Sequence, residues 1–421
     1  MNSDTVNPVH SSLLPAFNYK AEVMHEIEKG LNASAVTLLE ILIEQAYVQG
    51  ASDIHIDPTQ EGLIIRLRID GVLQAAHTFP MLLHAELISR LKILCGLRTD
   101  EHATAQDGRL RHFCRDSMLI DVRVSIMPLY YGENAVLRLL IGGNDSFSLA
   151  TLGFTAANQT KILAAMKKPY GMILATGPTG SGKTTTLYTL LSLQDATQTA
   201  IITLEDPIEY AIKGVNQIQV NPKTGLTFAH GLRSILRQDP NTIMVGEIRD
   251  GETAGLAVNI SLTGHVVVST LHTNDAATTL PRLLDMKIEP YLIASTVNIA
   301  IGQRLVRRLC SACKQEKILS DIEAKDLRQF IPEKNITLPL KVFVPVGCTL
   351  CNQSGYNGRI GIHEVLVVTP TIREAIIARA SASTLRNTAI VEGMIPMITD
   401  GLIKALKGVT SIEEVLKIHY E

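Results

Sequence analysis

The sequence predicts an α/β protein, in which a mostly parallel sheet is wrapped by helices, preceded by a smaller α+β domain. Three observations lead to this prediction. Strand-like segments that alternate apolar and polar residues occur in the first third of the chain, short apolar runs alternate with helical stretches after residue 150, and a glycine-rich loop joins one such run to a helix. A chain of 421 residues, 46% of them hydrophobic, is long enough for two or three domains.

The composition excludes several classes of protein. The 39 Lys and Arg residues and the 41 Asp and Glu residues give a net charge of −2, whereas a protein that coats nucleic acid usually carries a strongly basic field. Aromatic residues, on which bases would stack, make up 4% of the chain and include no Trp. The N-terminus lacks a signal-peptide pattern, and nowhere do about 18 apolar residues follow one another. We therefore expect a cytoplasmic protein with no direct nucleic-acid partner.

The N-terminal part of the chain is predicted to be a flexible segment, residues 1–34, followed by an α+β domain, residues 35–145. This segment is short, polar and mixed in composition. Apolar residues at helical spacing then predict an amphipathic helix over residues 36–46.

Alternating apolar and polar residues predict the strands of this first domain. Residues 53–57 and 63–69 alternate in this way, and Asp70-Gly71 is typical of a hairpin turn. Further strands are predicted over residues 119–125 and 135–141. The Gly-, Asn- and Ser-rich residues 142–146 are predicted to be a hinge.

Residues 150–306 are predicted to form the parallel α/β domain. Its buried strands are expected at four short apolar runs, residues 172–175, 200–204, 242–245 and 265–269. Residues 307–360, which hold four of the six cysteines, are predicted to be a metal-binding module, and residues 361–421 a C-terminal helical region.

The glycine-rich loop matches the pattern G-x-x-x-x-G-K-[ST] of a phosphate-binding loop. The matching residues are Gly177, Pro178, Thr179, Gly180, Ser181, Gly182, Lys183 and Thr184. The glycines let several backbone N–H groups converge on phosphates, Lys183 adds a positive charge, and the Thr184 hydroxyl can bind Mg²⁺. A helix that opens at Thr185 adds its N-terminal partial positive charge. Because a strand precedes the loop and a helix follows it, we predict a site for ATP and Mg²⁺.

Acidic side chains end two of the strands of this predicted sheet. Glu247 ends the run at residues 242–247 and can bind Mg²⁺ directly or through water. Glu205 and Asp206 end a strand that Pro207 terminates, and one of them could orient the attacking water. The alternative is that these two residues form a solvated acidic turn.

Two histidines flank another buried strand. His265 begins it and His272 follows its exit, a spacing that does not suit a metal pair. We interpret both as γ-phosphate sensors or as hydrogen-bonded framework, and the alternative is that they are ordinary core histidines.

Four arginines are candidates for stabilising the charge that develops on phosphate oxygens. Arg123 and Arg138 belong to the first domain. Arg233 and Arg237 are four residues apart and are predicted to project from one face of a helix.

The cysteines form two Cys-x₂-Cys pairs that can supply four thiolates to tetrahedral Zn²⁺. These residues are Cys310, Cys313, Cys348 and Cys351. The long gap between the pairs predicts an inserted helix near residues 321–330. Cys95 and Cys114 are predicted to be plain buried thiols.

Taken together, these motifs resemble those of the ATPases that drive type II secretion and type IV pilus assembly, over roughly residues 35–421. The matching boxes, in family order, are the phosphate loop at residues 177–184, an acidic box at 202–209, a Walker B region at 236–250, a histidine box at 263–276 and a tetracysteine module at 304–310 and 347–359. The tetracysteine module resembles the assembly and secretion branch of the family.

The resemblance implies a RecA-like P-loop core with a PAS-like N-terminal domain, assembled as a homo-hexamer that binds ATP between the two domains. It implies that Glu205 positions or activates water and that Glu247 serves Mg²⁺. The family's phosphate-binding arginines match Arg123, Arg138, Arg233 and Arg237.

The resemblance also implies a function. Hydrolysis would move one domain against the other and transmit force to an inner-membrane platform protein, through which the ATPase is peripherally associated with the membrane. One alternative is a motor that translocates or takes up DNA by acting directly on nucleic acid. A second is a nucleotide-gated regulatory module, against which the presence of Glu205 and Glu247 argues.

Overall fold

The computed structural model describes residues 18–140, 147–328, 330 and 340–419. The chain divides into two compact units, Met1–Asn144 and Asp145–Glu421. The hinge predicted at residues 142–146 lies outside the described residues.

The first unit begins with two packed helices, α1 (Tyr19–Glu28) and α2 (Ala35–Val48). The prediction of a flexible segment is wrong for α1, because Tyr19 and Val23 are buried in the core of the unit. The helix predicted over residues 36–46 is confirmed within α2. It is buried on most of its surface rather than amphipathic, since it packs against α1, the sheet and a third helix.

An antiparallel sheet of six strands forms the rest of this unit, in the order β3-β2-β1-β6-β5-β4. The strands are β1 (Ala51–Pro58), β2 (Leu63–Ile69), β3 (Val72–Phe79), β4 (Gln106–Phe113), β5 (Leu119–Leu129) and β6 (Gly132–Leu140), and α3 (His84–Leu94) precedes β4. The predicted hairpin turn joins β2 to β3, with positive φ angles of 50° at Asp70 and 87° at Gly71. The sequence analysis did not predict β3, β4 or α3.

The second unit is built on a seven-stranded sheet in the order β15-β12-β7-β11-β10-β8-β9. Its strands are β7 (Gly171–Thr176), β8 (Ile201–Glu205), β9 (Asn216–Gln219), β10 (Thr242–Val245), β11 (Val266–Leu271), β12 (Val297–Leu309) and β15 (Tyr356–Val367). All neighbours are parallel except β12 and β15, which are antiparallel. The predicted parallel α/β fold is confirmed. Every residue of β7, β8, β10 and β11 is buried, which is why several apolar residues follow one another in each strand.

Helices cover both faces of this sheet. They are α4 (Ala156–Met166), α5 (Lys183–Ser192), α6 (Phe228–Ile235), α7 (Gly251–Leu262), α8 (Thr279–Asp285) and α9 (Pro290–Thr296). Alternate residues of β7 enter different cores: Met172 packs in the cluster with α6 and α7, and Ile173 in the cluster with α4 and α5.

The C-terminal region was predicted to be helical over residues 361–421. It contains four helices, but the prediction is wrong for residues 361–367. They complete β15, which adds an antiparallel edge strand to the main sheet. The helices that follow are α11 (Pro370–Ile377), α12 (Ala382–Val391), α13 (Met397–Leu406) and α14 (Ile412–His419).

The cysteine-rich module is a small hairpin-like insertion. Strands β13 (Gln315–Ile318) and β14 (Lys341–Val344) pair antiparallel, and the predicted helix between the cysteine pairs is present as α10 (Asp321–Arg328). Across the described parts of the chain, every helix is too short or too polar to cross a bilayer.

Candidate functional site

The glycine-rich loop connects the end of β7 to the start of α5. Gly177, Gly180 and Gly182 all have positive φ angles, of 150°, 79° and 85°. A Cβ atom on Gly177 would lie 2.5 Å from the backbone oxygen of Gln303, so the loop can pass this close to β12 only because the residue is glycine. The loop therefore has the backbone that a phosphate cradle requires.

Lys183 lies in the first turn of α5 and is 8% exposed. Its ammonium group donates hydrogen bonds to the carbonyl oxygens of Gly177, at 2.8 Å, and Pro178, at 2.9 Å. Burial lowers the pKa of Lys183 to about 8, and the negative charge of Glu247 opposes that shift. Phosphate oxygens would compete with the two carbonyls for this ammonium, and Thr184 beside it is half-buried.

Gln303, which the sequence analysis missed, fixes the loop from the neighbouring strand β12. Its amide nitrogen donates to the backbone oxygen of Ser181 at 2.7 Å, and its amide oxygen accepts from the Thr186 hydroxyl at 2.9 Å. The signal available in the sequence was a polar residue placed directly after the apolar stretch 299–302 of β12. Gln303 thus holds both the loop and the helix that follows it.

Glu247 follows β10 at the same carboxyl edge of the sheet as the glycine-rich loop. One carboxylate oxygen pairs with Arg249 at 2.5 Å, and the other lies 3.2 Å from Nε2 of His272. The His272 side chain is 48% exposed, so it is not a core histidine. The structure therefore brings together Lys183, Glu247 and His272, and the Glu247 carboxylate and the Thr184 hydroxyl are oxygen donors of the type that Mg²⁺ prefers.

Glu205 ends β8 but is only 2% exposed, so the solvated-turn alternative is wrong for this residue. Its carboxylate accepts hydrogen bonds from the Tyr188 hydroxyl, from the Thr203 hydroxyl and from the Gln217 amide, the last at 3.1 Å. Burial and the hydrogen bond to Glu205 raise the pKa of Tyr188. The role predicted for Glu205 in orienting water stays a prediction. In that role a water molecule would replace one of the three hydrogen-bond donors of the carboxylate.

His265 lies at the opposite edge of the sheet from the glycine-rich loop. It immediately precedes β11, whereas the loop follows β7, and these two strands are parallel and in register. The Nδ1 atom of His265 lies 3.1 Å from the backbone oxygen of Ile260 and 3.3 Å from the Thr263 hydroxyl. Within this chain, His265 is therefore a hydrogen-bonded framework residue and not a γ-phosphate sensor.

Arg233 and Arg237 lie on the surface near the end of α6. Arg233 pairs with Glu252 of α7 at 2.7 Å, and Arg237 donates to the backbone oxygen of Arg233 at 3.0 Å. The helix ends at Ile235 and Arg237 lies in a 3₁₀ turn, so the predicted helical face is interrupted between the two arginines.

Arg123 and Arg138 lie directly opposite each other on β5 and β6 of the first unit. Nε of Arg138 donates to the carboxylate of Asp53 at 3.0 Å, and the same carboxylate lies 3.4 Å from Nε of Arg68. The sheet therefore places two guanidinium groups, those of Arg138 and Arg68, beside the buried Asp53 carboxylate. Their predicted role toward phosphate stays a prediction.

The four predicted metal ligands converge in the cysteine-rich module, with all four sulfur atoms within 4.8 Å of one another. The Sγ–Sγ distances are 3.9 Å for Cys310 and Cys348, 3.8 Å for Cys313 and Cys351, and 3.7 Å for Cys348 and Cys351. Zn–S bonds of about 2.3 Å would place the sulfurs of a tetrahedral site about 3.8 Å apart. The geometry therefore fits four-coordinate zinc.

Backbone N–H groups also prepare this cluster for thiolates. Cys351 Sγ accepts from the N–H groups of Cys348 and Gly355, both at 3.2 Å, and Cys313 Sγ accepts from that of Gly347 at 3.4 Å. Burial raises the pKa of Cys351, whereas the two N–H groups and hydrogen bonds with the Cys348 and Cys313 thiols lower it, to about 6. Hydrogen-bond donors directed at sulfur stabilise thiolates, the form in which cysteine binds a metal.

The two remaining cysteines are not part of this cluster. Cys114 is buried as predicted, whereas Cys95 is half-buried. Burial raises the pKa of Cys95 to about 11 and that of Cys114 to about 12, so both are plain thiols at neutral pH.

Comparisons with known proteins identify the family of this chain. Residues 29–417 match the family described as Type II/IV secretion system protein. The chain is 45% identical to the type II secretion system protein E of Aeromonas hydrophila, over 93% of this chain and 76% of that protein. It is 43% identical to the type IV pilus assembly ATPase PilB of Myxococcus xanthus, over 94% of this chain and 70% of that protein.

Solved structures show the same fold. The ATPase DotB of Legionella pneumophila aligns with a TM-score of 0.67 and 22% identity, over 91% of this chain and 95% of that one. The pilus retraction motor PilT with bound ADP aligns with a TM-score of 0.60 and 25% identity, over 90% of this chain and 96% of that one. This chain is therefore an ATPase that belongs to the Type II/IV secretion system protein family.

Proposed function

We propose that this ATPase is the motor that powers assembly of a type IV pilus or of a type II secretion pseudopilus. The observation that carries the proposal is the convergence of a buried P-loop lysine, a carboxylate and a histidine at one sheet edge, in a chain whose relatives are named for these two machines.

In this proposal the residues of the glycine-rich loop bind the phosphates of ATP, with Lys183 against the β and γ oxygens. Mg²⁺, when bound, neutralises charge on the phosphates, and Thr184 and Glu247 would hold it. His272 keeps the Glu247 carboxylate oriented through their 3.2 Å contact. Glu205, held by Tyr188, is proposed to position the attacking water from the neighbouring strand end.

The four cysteines are proposed to hold a structural zinc ion. The ion would cross-link the end of β12 to the segment that follows β14 and so shape the module between them. Because all four ligands come from protein, this site leaves no open position for chemistry.

We further propose a cytoplasmic homo-hexamer that acts on an inner-membrane platform protein and is peripherally associated with the membrane through it. Support comes from the relatives, which are named for a type II secretion system and for type IV pilus assembly. The alternative of a motor that acts directly on DNA is not favoured by those relatives.

The test is MgATP turnover by the purified chain, measured alone, with double-stranded DNA at two salt concentrations, and with the solubilised platform protein. Glu247→Gln is compared with Glu61→Gln, an exposed control in the other unit. We expect wild type and Glu61→Gln to hydrolyse ATP. Glu247→Gln should bind nucleotide, but its turnover rate should be lower by a factor of about 100 or more.

The identity of the partner decides the machine. Turnover that responds to the platform protein and not to DNA supports the proposal. Stimulation by DNA that weakens steeply with salt would replace it with the DNA-motor alternative. Equal turnover by wild type and Glu247→Gln would refute the assignment of the site.

A further inference from the structure

Glu364 on β15 is a buried carboxylate that none of the roles above uses. It is 3% exposed, and both of its oxygens accept backbone hydrogen bonds. One accepts from the N–H of Ala276 at 2.7 Å, and the other from the N–H of Met397 at 3.3 Å. Ala276 lies in the loop between β11 and α8, and Met397 is the first residue of α13. One side chain therefore links two distant segments of the chain.

Glu364 reaches the loop because its neighbour on β12 is a glycine. Gly302 of β12 lies opposite Glu364 of β15 on one side and opposite Thr176 of β7 on the other. A Cβ atom on Gly302 would lie 2.9 Å from Cγ of Glu364 and 3.0 Å from the nitrogen of Ala276. A larger residue at this position would block the path of the carboxylate across the strand.

The loop held by Glu364 carries two residues that contact the nucleotide site. His272 contacts Glu247, and the N–H of Thr273 donates to the Thr176 hydroxyl at 3.0 Å. Thr176 immediately precedes Gly177, the first residue of the glycine-rich loop. A displacement of this loop would therefore reach both the acidic and the phosphate-binding sides of the site.

A second contact joins the same loop to the C-terminal helices. Asp275 forms an ion pair with Arg386 of α12. Asp275 also accepts from the N–H of Thr278 at 2.7 Å, which ties it into its own loop. The loop is thus held at two adjacent residues: Arg386 of α12 pairs with Asp275, and Glu364 of β15 accepts from the N–H of Ala276.

Burying a carboxylate is costly, and burial accordingly raises the pKa of Glu364, with the Ala276 N–H opposing the shift. Removing the carboxylate would leave two buried N–H groups without an acceptor. An apolar side chain would avoid the cost of burying a charge but would leave both N–H groups without this acceptor, so the two contacts account for a glutamate here.

We propose that Glu364 is a positioning residue of the nucleotide site, which ties the loop carrying His272 and Thr273 to the first turn of α13 and so couples the C-terminal helices to ATP turnover. This inference rests on the ATPase function proposed above. The proposed coupling runs through β15 and β12, at the opposite end of the strand order from β8 and β10, at whose ends Glu205 and Glu247 lie.

The experiment compares Glu364→Gln with Glu374→Gln, an exposed position on α11. Glutamine keeps the size of the side chain but has one acceptor oxygen, so its NH₂ group must face one of the two N–H groups. Two measurements are made on the full chain: hydrogen exchange of residues 272–278 and 397–401 without nucleotide, and steady-state MgATP kinetics.

For Glu364→Gln we expect exchange in at least one of the two segments to rise by about tenfold, and kcat to fall by about tenfold with a smaller change in KM. Glu374→Gln should match wild type in both measurements. Wild-type exchange in both segments of a folded Glu364→Gln protein would overturn the proposal.

Arg386→Ala provides a second variant, because Arg386 is 44% exposed and its removal leaves the core intact. It should raise exchange in residues 272–278 and lower kcat by a smaller factor, about threefold. If Glu364→Gln does not fold, unchanged exchange and kcat in Arg386→Ala would overturn the coupling. Hydrogen exchange can be measured whether or not the protein hydrolyses ATP. A wild-type protein without ATPase activity would refute the proposed function, and the exchange data would still test whether Glu364 positions the loop.

Discussion

The four-cysteine cluster and the nucleotide edge of the large sheet were both predicted from short motifs, but they are built in different ways. The cluster takes its ligands from two Cys-x₂-Cys segments, whose four sulfurs lie within 4.8 Å of one another. The nucleotide edge takes its groups from the ends of several strands, and Gln303 and Glu364 support it from β12 and β15. The comparison shows that a local spacing can specify a metal site, whereas a nucleotide site depends on how the whole sheet is assembled.

The two regions also differ in how their charges are balanced. The thiols face one another at 3.7–3.9 Å, so ionised sulfurs need a cation to hold them together. At the nucleotide edge, the Lys183 ammonium is bound by two carbonyls, and Glu247 is paired with Arg249 and His272. The cluster therefore suits a fixed structural ion, and the sheet edge suits partners that exchange during a cycle.

The largest effect is expected from breaking the cluster. Cys351→Ala removes the ligand whose pKa is lowered to about 6, and three remaining thiols cannot close a tetrahedral site. We expect the zinc content, measured by elemental analysis, to fall from one ion per chain to about one tenth or less. Cys95→Ala is the control and should keep the metal. Zinc bound equally well by both variants would contradict the proposed ligand set.

A similarly severe loss is expected at the nucleotide edge from Lys183→Ala, which removes the only cation that the glycine-rich loop itself contributes. We expect kcat/KM for MgATP to fall by about 100-fold or more. Lys213→Ala, at an exposed position, should stay close to wild type. Unlike the cysteine variant, Lys183→Ala should keep its zinc, which separates the two regions. Wild-type turnover would exclude Lys183 from the site.

The pH dependence of nucleotide affinity sharpens the contrast further. Burial lowers the pKa of Lys183 to about 8, so the charged form is complete below pH 7 and is lost as the pH rises through 8. We expect the Kd for MgADP, measured by calorimetry, to be constant below about pH 7 and to rise by up to tenfold per pH unit above about pH 8. Lys183→Arg does not titrate in this range and should give a flatter profile. An equally steep rise in that variant would assign the effect to another group.

The smallest effect concerns the strand that joins the two regions. Arg307 of β12, between Gln303 and Cys310, pairs with the buried Glu414 of α14 at 2.7 Å. Burial raises the pKa of Glu414, but the hydrogen bonds from Arg307 and Lys417 outweigh it and lower the pKa to about 2. We expect Glu414→Gln to reduce the free energy of unfolding by about 2 kcal/mol at neutral pH, measured by urea denaturation.

The sign of this pH dependence is fixed by the direction of the shift. A lowered pKa stabilises the fold above the ordinary glutamate value, and that stabilisation is lost as the pH falls toward 2. The difference between wild type and Glu414→Gln should therefore shrink on acidification. Glu413→Gln is the control, because Glu413 is exposed and adjacent. Equal destabilisation by both variants would show that the pair with Arg307 contributes nothing specific.

The parts that could be predicted from the sequence are those in which short-range patterns and burial agree. The strands β7, β10 and β11 were found because each is buried on both faces and therefore consecutively apolar. β15 was missed because its residues 361–367 run on from a glycine- and cysteine-rich segment into predicted helices, and only pairing with β12 makes them a strand. For His265 the sequence left a γ-phosphate sensor and a hydrogen-bonded framework residue as alternatives, because the motif gives its place in the chain and not the edge of the sheet on which it lies.

The sequence by itself determined the local chemistry of this protein: a loop with glycines where φ must be positive, a lysine and threonine at the start of a helix, and cysteine pairs whose spacing suits a tetrahedral metal. Only the tertiary structure decided which polar groups meet. Gln303 and Glu364 act on segments far away in the chain, and Glu205 is buried by donors from α5 and β9. The reason is physical: backbone geometry follows from near neighbours, whereas hydrogen bonds between strands and loops follow from sheet order and register.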